Sequence, residues 1–270
     1  MTQNRFVPRY ERHDFADRSS RYAIVVPVIN EGDRIKAQLR RMAEVGHGMD
    51  VFIADGGSSD GSLDPGFLTV AGVRTLLTKT GPGRLSAQLR MGFSAALSDG
   101  YEGVVTIDGN GKDGVEALGR FRAALDEGYD FVQGSRFVPG GFASNTPPAR
   151  YWGIRLVHAP IISLGARRRF TDTTNGFRAH SARLLRDPKV AVFRDVFDAY
   201  ELLAYLPIRA ARLGYRTCEV PVSRVYPAGA VPTKIHSTSA HLGLIGVLIR
   251  AAAGRYDPAA EVGADHPHPG

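Results

Sequence analysis

Three short clusters of acidic and amide side chains carry the most chemistry in this sequence: Asn30-Glu31, residues 55–60 (DGGSSD) and Asp108-Gly109-Asn110. A carboxylate at such a place can accept from a base or a ribose hydroxyl. It can also hold a divalent cation that bridges diphosphate oxygens and offsets charge on a leaving group. Asp-x-Asn on a tight glycine turn suits the cation, because alternate oxygens can face one ion. Asp, Asn and Gly after a strand also simply make turns, so any one cluster says little. The three together argue for a site, because each follows a strand-like apolar run.

Those runs are 22–28 (YAIVVPV), 50–54 (DVFIA) and 103–107 (GVVTI), with further strands expected at 70–77, 131–133 and 217–222. Continuous β-branched runs mark strands buried on both faces. Helical spacing links them at 31–45, 83–97 and 115–125. Alternation of this kind predicts an α/β fold with a mostly parallel central sheet flanked by helices, and ligands bind beyond the carboxyl ends of such strands. The second half reads as helices at 152–166, 200–213 and 241–252, with Pro207 starting a new segment or kinking the second, and a polar turn at 171–178. Residues 1–20 and 256–270 read as polar tails without the apolar surface to order themselves.

Composition narrows the partners. The chain has 270 residues, formal charge +7 and a single cysteine, Cys218. That excludes an internal disulfide and any multi-cysteine metal site. No stretch approaches the roughly 20 apolar residues that span a bilayer, and no signal-peptide core opens the chain. The expectation is a cytoplasmic protein that rests on the inner face of the membrane. Arginine dominates the cations, and its planar fork suits phosphate; a compositional bias of the genome is the plainer reading of the same excess. Net charge alone does not support nucleic-acid binding, since no aromatic platform accompanies it. The eight histidines show no ligand spacing. Arg167-Arg168-Arg169 suit anionic headgroups or a solvated turn.

The motifs VVPVINEGDRI, IADGGSSDGS, TIDGNGKD, GSR, DTTNGFR and EVPVSR occur in the order seen in glycosyltransferase family 2. The chain resembles the dolichyl- and polyprenyl-phosphate sugar synthase branch of that family across residues 22–235. The resemblance implies a GT-A domain at 21–235, followed by a helix at 236–255, and inverting transfer from a nucleotide-diphosphate sugar to polyprenyl phosphate. A soluble or glycan hydroxyl acceptor, or a non-catalytic nucleotide-sugar-binding subunit, is the alternative. It places Pro27, Asn30, Glu31, Asp55 and Arg84 against the nucleotide. It gives Asp108 and Asn110 the metal, Mg²⁺ or Mn²⁺, and the diphosphate. Arg136, Arg178, Arg224 and Lys234 become the phosphate-facing cations. Asp172 is the candidate general base, with Glu201 in reserve.

Departures from the family pattern are as informative. Gly56 stands for the second Asp of Asp-Asp-Gly-Ser. Asn110 stands for the second Asp of Asp-x-Asp. Lys112 stands where a metal-facing Gln is common, so an ammonium either weakens the metal or takes over part of its charge role. The first loop lacks the glycine fingerprints of a nucleotidyltransferase or a dinucleotide-binding dehydrogenase.

Overall fold

The computed structural model describes residues 6–227 and 238–259. The strands are β1 (Tyr10–Asp14), β2 (Tyr22–Val28), β3 (Asp50–Asp55), β4 (Val73–Lys79), β5 (Gly103–Thr106), β6 (Phe131–Ser135), β7 (Phe142–Ser144), β8 (Arg178–Ser181), β9 (Thr217–Pro221) and β10 (Ser223–Val225). The helices are α1 (Asp33–Val45), α2 (Pro65–Val70), α3 (Leu85–Ser98), α4 (Leu118–Asp126), α5 (Pro148–Gly153), α6 (Ala159–Ala166), α7 (Ala182–Arg186), α8 (Glu201–Arg212) and α9 (Thr238–Ala252). Eight strands form one sheet in the order β1-β4-β3-β2-β5-β8-β6-β9, and β7 pairs with β10 in a second.

The sheet is buried on both faces, and β2 shows why its sequence is apolar throughout. Ala23 and Val25 join one core cluster with α3, α6 and α8. Tyr22, Ile24, Val26 and Val28 alternate into the other, with α1 and α4. β2 pairs in parallel with β3 and β5, and β3 with β4. The expected mostly parallel sheet is therefore present. β8 is inserted antiparallel between β5 and β6, which leaves β6 running the same way as β5. The carboxyl ends of β2, β3, β5 and β6 thus share one edge.

Several expectations are corrected. Residues 1–20 are not simply a tail: β1 adds antiparallel to β4, with Tyr10 opposite Lys79. Ladder hydrogen bonds and the Arg12–Asp99 ion pair at 2.7 Å hold it, so apolar content was a poor guide to its order. The strand expected at 70–77 begins at Val73, because Asp64 caps a short helix by accepting from Phe67 N–H at 2.9 Å. The polar turn at 171–178 runs directly into β8. Near the carboxyl terminus Tyr256 is buried and Asp257 pairs with Arg209 at 3.1 Å, so these two residues belong to the packed domain, and 260–270 lie outside the described residues. α9 shares the first core cluster through Val247, Leu248 and Ala251, so it is packed into the domain.

Pro207 lies inside α8 without ending it. A proline has no N–H for the carbonyl four residues back. That carbonyl, on Leu203, instead accepts from Arg178 Nη1 at 2.6 Å.

The buried His180 and the half-buried His158 make folding pH-sensitive. Burial, then the Arg178 charge, pushes His180 down to about 3 and His158 to about 4. The unfolded chain protonates near pH 6.5. The stability these groups contribute is therefore present above pH 6.5 and lost as pH falls toward their folded values. Urea unfolding should lose roughly 1–2 kcal/mol per pH unit from this source on acidification from about pH 6.5 to 5. His180→Phe should flatten the profile; an equally steep profile in that variant would assign the loss to other groups.

Candidate active site

The first loop of the shared edge is locked to the second. Asn30 adopts a left-handed backbone, with φ 50°. Its Oδ1 accepts from Ser59 N–H at 2.8 Å, and its own N–H donates to Ser58 Oγ at 3.0 Å. Gly32 N–H donates to Asp60 at 2.8 Å. Asp55 is buried and its Oδ1 accepts from both Ser58 N–H and Ser58 Oγ, at 2.9 and 2.6 Å. Pro27 lies within β2, and Glu31 is buried in an ion pair with Arg34 at 2.9 Å. Arg84 is exposed at the start of α3, on the side that follows β4.

Gly56 has a structural cause. A Cβ there would lie 2.9 Å from Gln88 Nε2 and 3.3 Å from Ile29 Cβ. Gln88 itself donates to the carbonyls of Val28 and Ala54, at 2.9 and 2.8 Å. One buried amide therefore ties the carboxyl ends of β2 and β3 and occupies the space a larger residue would need. The sequence held this signal as an isolated Gln in the apolar helix α3.

Asp108 follows β5 and its side chain is 28% exposed. Asn110 Nδ2 lies 3.4 Å from its Oδ2, and Asn110 Oδ1 accepts from Lys112 N–H at 3.2 Å. The 171–178 loop passes directly over it. A Cβ on Gly176 would sit 2.4 Å from Asp108 Oδ1, so only glycine fits.

Arg224 joins two carboxylates. Its Nη2 is 3.2 Å from Asp108, and its Nη1 is 2.5 Å from the fully buried Asp113. Burial pushes the Asp113 carboxyl up, against the pull of Arg224. Burial opposes the Arg224 charge, but Asp113 and Asp108 outweigh it and raise its pKa. At 2.5 Å the ion pair is the physically decisive contact. Around the same arginine stand Lys112, 5.3 Å from the Tyr226 ring centre, and Arg150, which donates to Tyr226 Oη at 3.2 Å. Burial pushes the Tyr226 phenol up; Arg224, Arg150 and Arg136 outweigh it and bring the net shift down. Burial and then Arg224 lower Lys112. Asp113, Arg150 and Tyr226 were not singled out in the sequence.

Arg136 and Asp172 form a buried bidentate pair, Nε to Oδ2 at 2.6 Å and Nη2 to Oδ1 at 2.8 Å. Asp172 also accepts from Arg136 N–H and Thr174 Oγ1, at 3.2 and 3.3 Å. Both oxygens are engaged and the residue is fully buried, which argues against the expected role as a base. Arg178 is likewise buried, and its guanidinium donates to the carbonyls of Asn175, Thr173 and Leu203. It knits the loop to α8 and does not face a phosphate. Glu201 accepts from Asp198 and Ala199 N–H at 3.0 and 2.7 Å, which makes it a turn anchor at the start of α8. Lys234 lies outside the described residues.

The model of glycosyl transferase family 2 matches residues 23–193, most of the chain. The chain belongs to glycosyl transferase family 2. It is 33% identical over 213 residues to an undecaprenyl-phosphate mannosyltransferase of Micrococcus luteus, covering 76% of this chain and 84% of the relative. It is 28% identical over 211 residues to a polyprenol monophosphomannose synthase of Mycolicibacterium smegmatis, covering 76% and 77%. The glucosyl-3-phosphoglycerate synthase of Mycobacterium tuberculosis, solved with Mn²⁺, UDP and its product, superposes with TM-score 0.60 at 18% identity, over 88% of this chain and 81% of that one. The fold is GT-A, and this family-2 chain is a glycosyltransferase.

Removing one partner of a buried ion pair leaves an uncompensated charge and costs about 3–5 kcal/mol. Asp172→Asn should lower stability to urea on that scale while the folded fraction keeps its donor affinity. Near-wild-type stability with transfer abolished would restore Asp172 as a base.

Proposed function

We propose that this glycosyltransferase moves a sugar from a nucleoside-diphosphate sugar to polyprenyl phosphate, with inversion at the anomeric carbon. The observation that carries the reading is the set of cations beside Asp108. Lys112, Arg136, Arg150 and Arg224 converge there, and the carboxylates Asp113 and Asp172 are buried, each held by an arginine. A hydroxyl acceptor needs a general base. A phosphate acceptor is already ionised at neutral pH and needs positive charge. The undecaprenyl-phosphate and polyprenol relatives agree with the second case.

On this reading Asp55 accepts from the donor's base, with 27–31 as one wall of its pocket and Arg84 at the mouth. A divalent cation fits Asp108 and Asn110. Among the described residues there is no group of three or more His, Cys, Asp or Glu able to hold a metal alone. Mg²⁺ and Mn²⁺, however, commonly take one or two protein oxygens and complete their shell from substrate phosphates and water. Bound there, the ion would neutralise charge developing on the departing diphosphate. Arg224 holds Asp108 in orientation meanwhile, and Lys112 adds charge where an amide is common in the family. The acceptor phosphate attacks the anomeric carbon in line, steered by Arg150 and Lys112, while Arg136, neutralised by Asp172, holds the 171–178 loop in place. The enzyme works at the cytoplasmic face of a membrane, where its lipid acceptor is presented.

A screen of UDP-, GDP- and dTDP-sugars with short-chain polyprenyl phosphate should give labelled lipid with Mg²⁺ or Mn²⁺. Asp108→Ala should lower turnover by about two to three orders of magnitude, the scale of a lost electrostatic element. Full activity in EDTA would remove the metal and leave Lys112 as the cation. Transfer to a soluble alcohol without transfer to the lipid phosphate would overturn the acceptor.

A further inference from the structure

Among the described residues, one face of the helical run 148–166 has no protein partner. α5 continues through a π-helical turn (Ile154–His158) into α6. Pro160 explains the wide turn, since it cannot donate to the carbonyl four residues back. Ile154, Ala159, Ile162 and Ala166 face inward and are buried. Gly165 permits close approach to α9, for a Cβ there would lie 2.9 Å from Ala252 Cα.

The opposite side carries Trp152, Leu156, Pro160 and Leu164, every fourth residue, all exposed to solvent. Trp152 is 56%, Leu156 66% and Leu164 83% exposed. A row of every fourth residue drifts about 40° per step round an α-helix. The π-helical turn fits an extra residue into one turn and brings the row back. The result is an apolar row that stays on the exposed side of the run. Single exposed apolar side chains need no explanation; an aligned set does.

The charge along this segment selects the partner. Between Pro148 and Phe170 there are five arginines and no aspartate or glutamate. Arg155 lies on the exposed side beside the row, and Arg167, Arg168 and Arg169 follow its end. Tryptophan and leucine above a fringe of arginine is the arrangement of a helix lying in a bilayer interface. No helix among the described residues is long and apolar enough to cross a membrane. The proposed lipid acceptor, on which the biological use of this face rests, has to be met at such a surface.

We infer that the 148–166 run is the docking surface of the protein on an anionic bilayer. Trp152, Leu156 and Leu164 enter the acyl boundary, and Arg155 with Arg167 and Arg169 engages lipid phosphates, while Arg168 donates to the Thr217 carbonyl at 2.6 Å. The same run is wired to the site: Arg150 donates to Tyr226 Oη, and His158 Nδ1 lies 2.8 Å from Thr173 Oγ1. Docking therefore sets the site against the interface.

Trp152 is the sole tryptophan, so its emission reports its own environment. Vesicles of phosphatidylglycerol and phosphatidylcholine, without polyprenyl phosphate or donor, should shift that emission to the blue. Brominated acyl chains should quench it, and the full-length protein should float with the vesicles. Leu156→Ser with Leu164→Ser should weaken vesicle binding at least tenfold with an unchanged melting temperature. Arg167→Glu with Arg169→Glu should weaken it by more than about fivefold per arginine, and added salt should do the same. Each pair should leave transfer to a soluble short-chain polyprenyl phosphate intact and depress transfer to a vesicle-borne one. No blue shift, no flotation, or equal binding by the Leu156/Leu164 pair would overturn the docking surface, even with soluble transfer intact. Vesicle binding without transfer to any polyprenyl phosphate would overturn the acceptor and leave the surface standing.

Discussion

The buried pair of Arg136 and Asp172 is the constraint on which the site depends. Two charges that are almost wholly out of water persist only if geometry is good and their remaining donors and acceptors are met. Here the fork is bidentate, and Asp172 takes two further hydrogen bonds. The pair fastens the end of β6 to the 171–178 loop. Once the loop is fixed, Gly176 lies against Asp108, Thr106 Oγ1 reaches the Gly176 carbonyl at 2.7 Å, and Arg178 turns inward to α8. A residue that the family pattern marks for chemistry is thus used to hold the floor of the site.

Charge balance follows from that floor. Asp108 and Asp113 share one guanidinium, and Lys112 and Arg150 add two positive groups around Tyr226. The local surplus is positive before any ligand arrives. On the proposed reading, a diphosphate and an acceptor phosphate bring more negative charge than one divalent ion cancels. Residual cations are then required of the protein, and Asn110 in place of an Asp and Lys112 in place of a Gln move the site in that direction. The substitutions that look like erosion of a metal motif are consistent with a site that carries more of its positive charge in side chains.

Much of this was legible in the sequence, for physical reasons. β2, β3 and β5 are buried on both faces, so their runs are apolar throughout, and the clusters after them fall on one edge because parallel strands must align. β1 and β8 were not legible. β1 is held by ladder bonds and ion pairs at a sheet edge, and β8 carries Arg178 and His180, whose burial depends on distant partners. The surroundings of Asp172 and Glu201 were not legible for a related reason: residue type shows that a carboxylate is present, while only packing shows which partners its oxygens already have. Gly56 is the converse case. It read as a departure from Asp-Asp-Gly-Ser, yet its explanation lies 32 positions away in Gln88.

The acceptor side gains its logic from where the 148–166 run sits. On the proposed acceptor, a lipid phosphate cannot travel far from the interface that holds its chain, and the enzyme would have to bring its cations to the headgroup plane. Arg150, at the start of the run, reaches Tyr226 within the site, while Trp152 two residues later is exposed on the outer face. Inward and outward roles are thus divided along a single turn of helix. The proline that forces the π-helical turn keeps the apolar row in line without disturbing the buried face against α8 and α9. With the proposed phosphate acceptor no general base is needed, and among the described residues Asp113 and Asp172 are paired with arginines. The pairing that occupies the oxygens of Asp172 is thus in keeping with an acceptor that is already ionised.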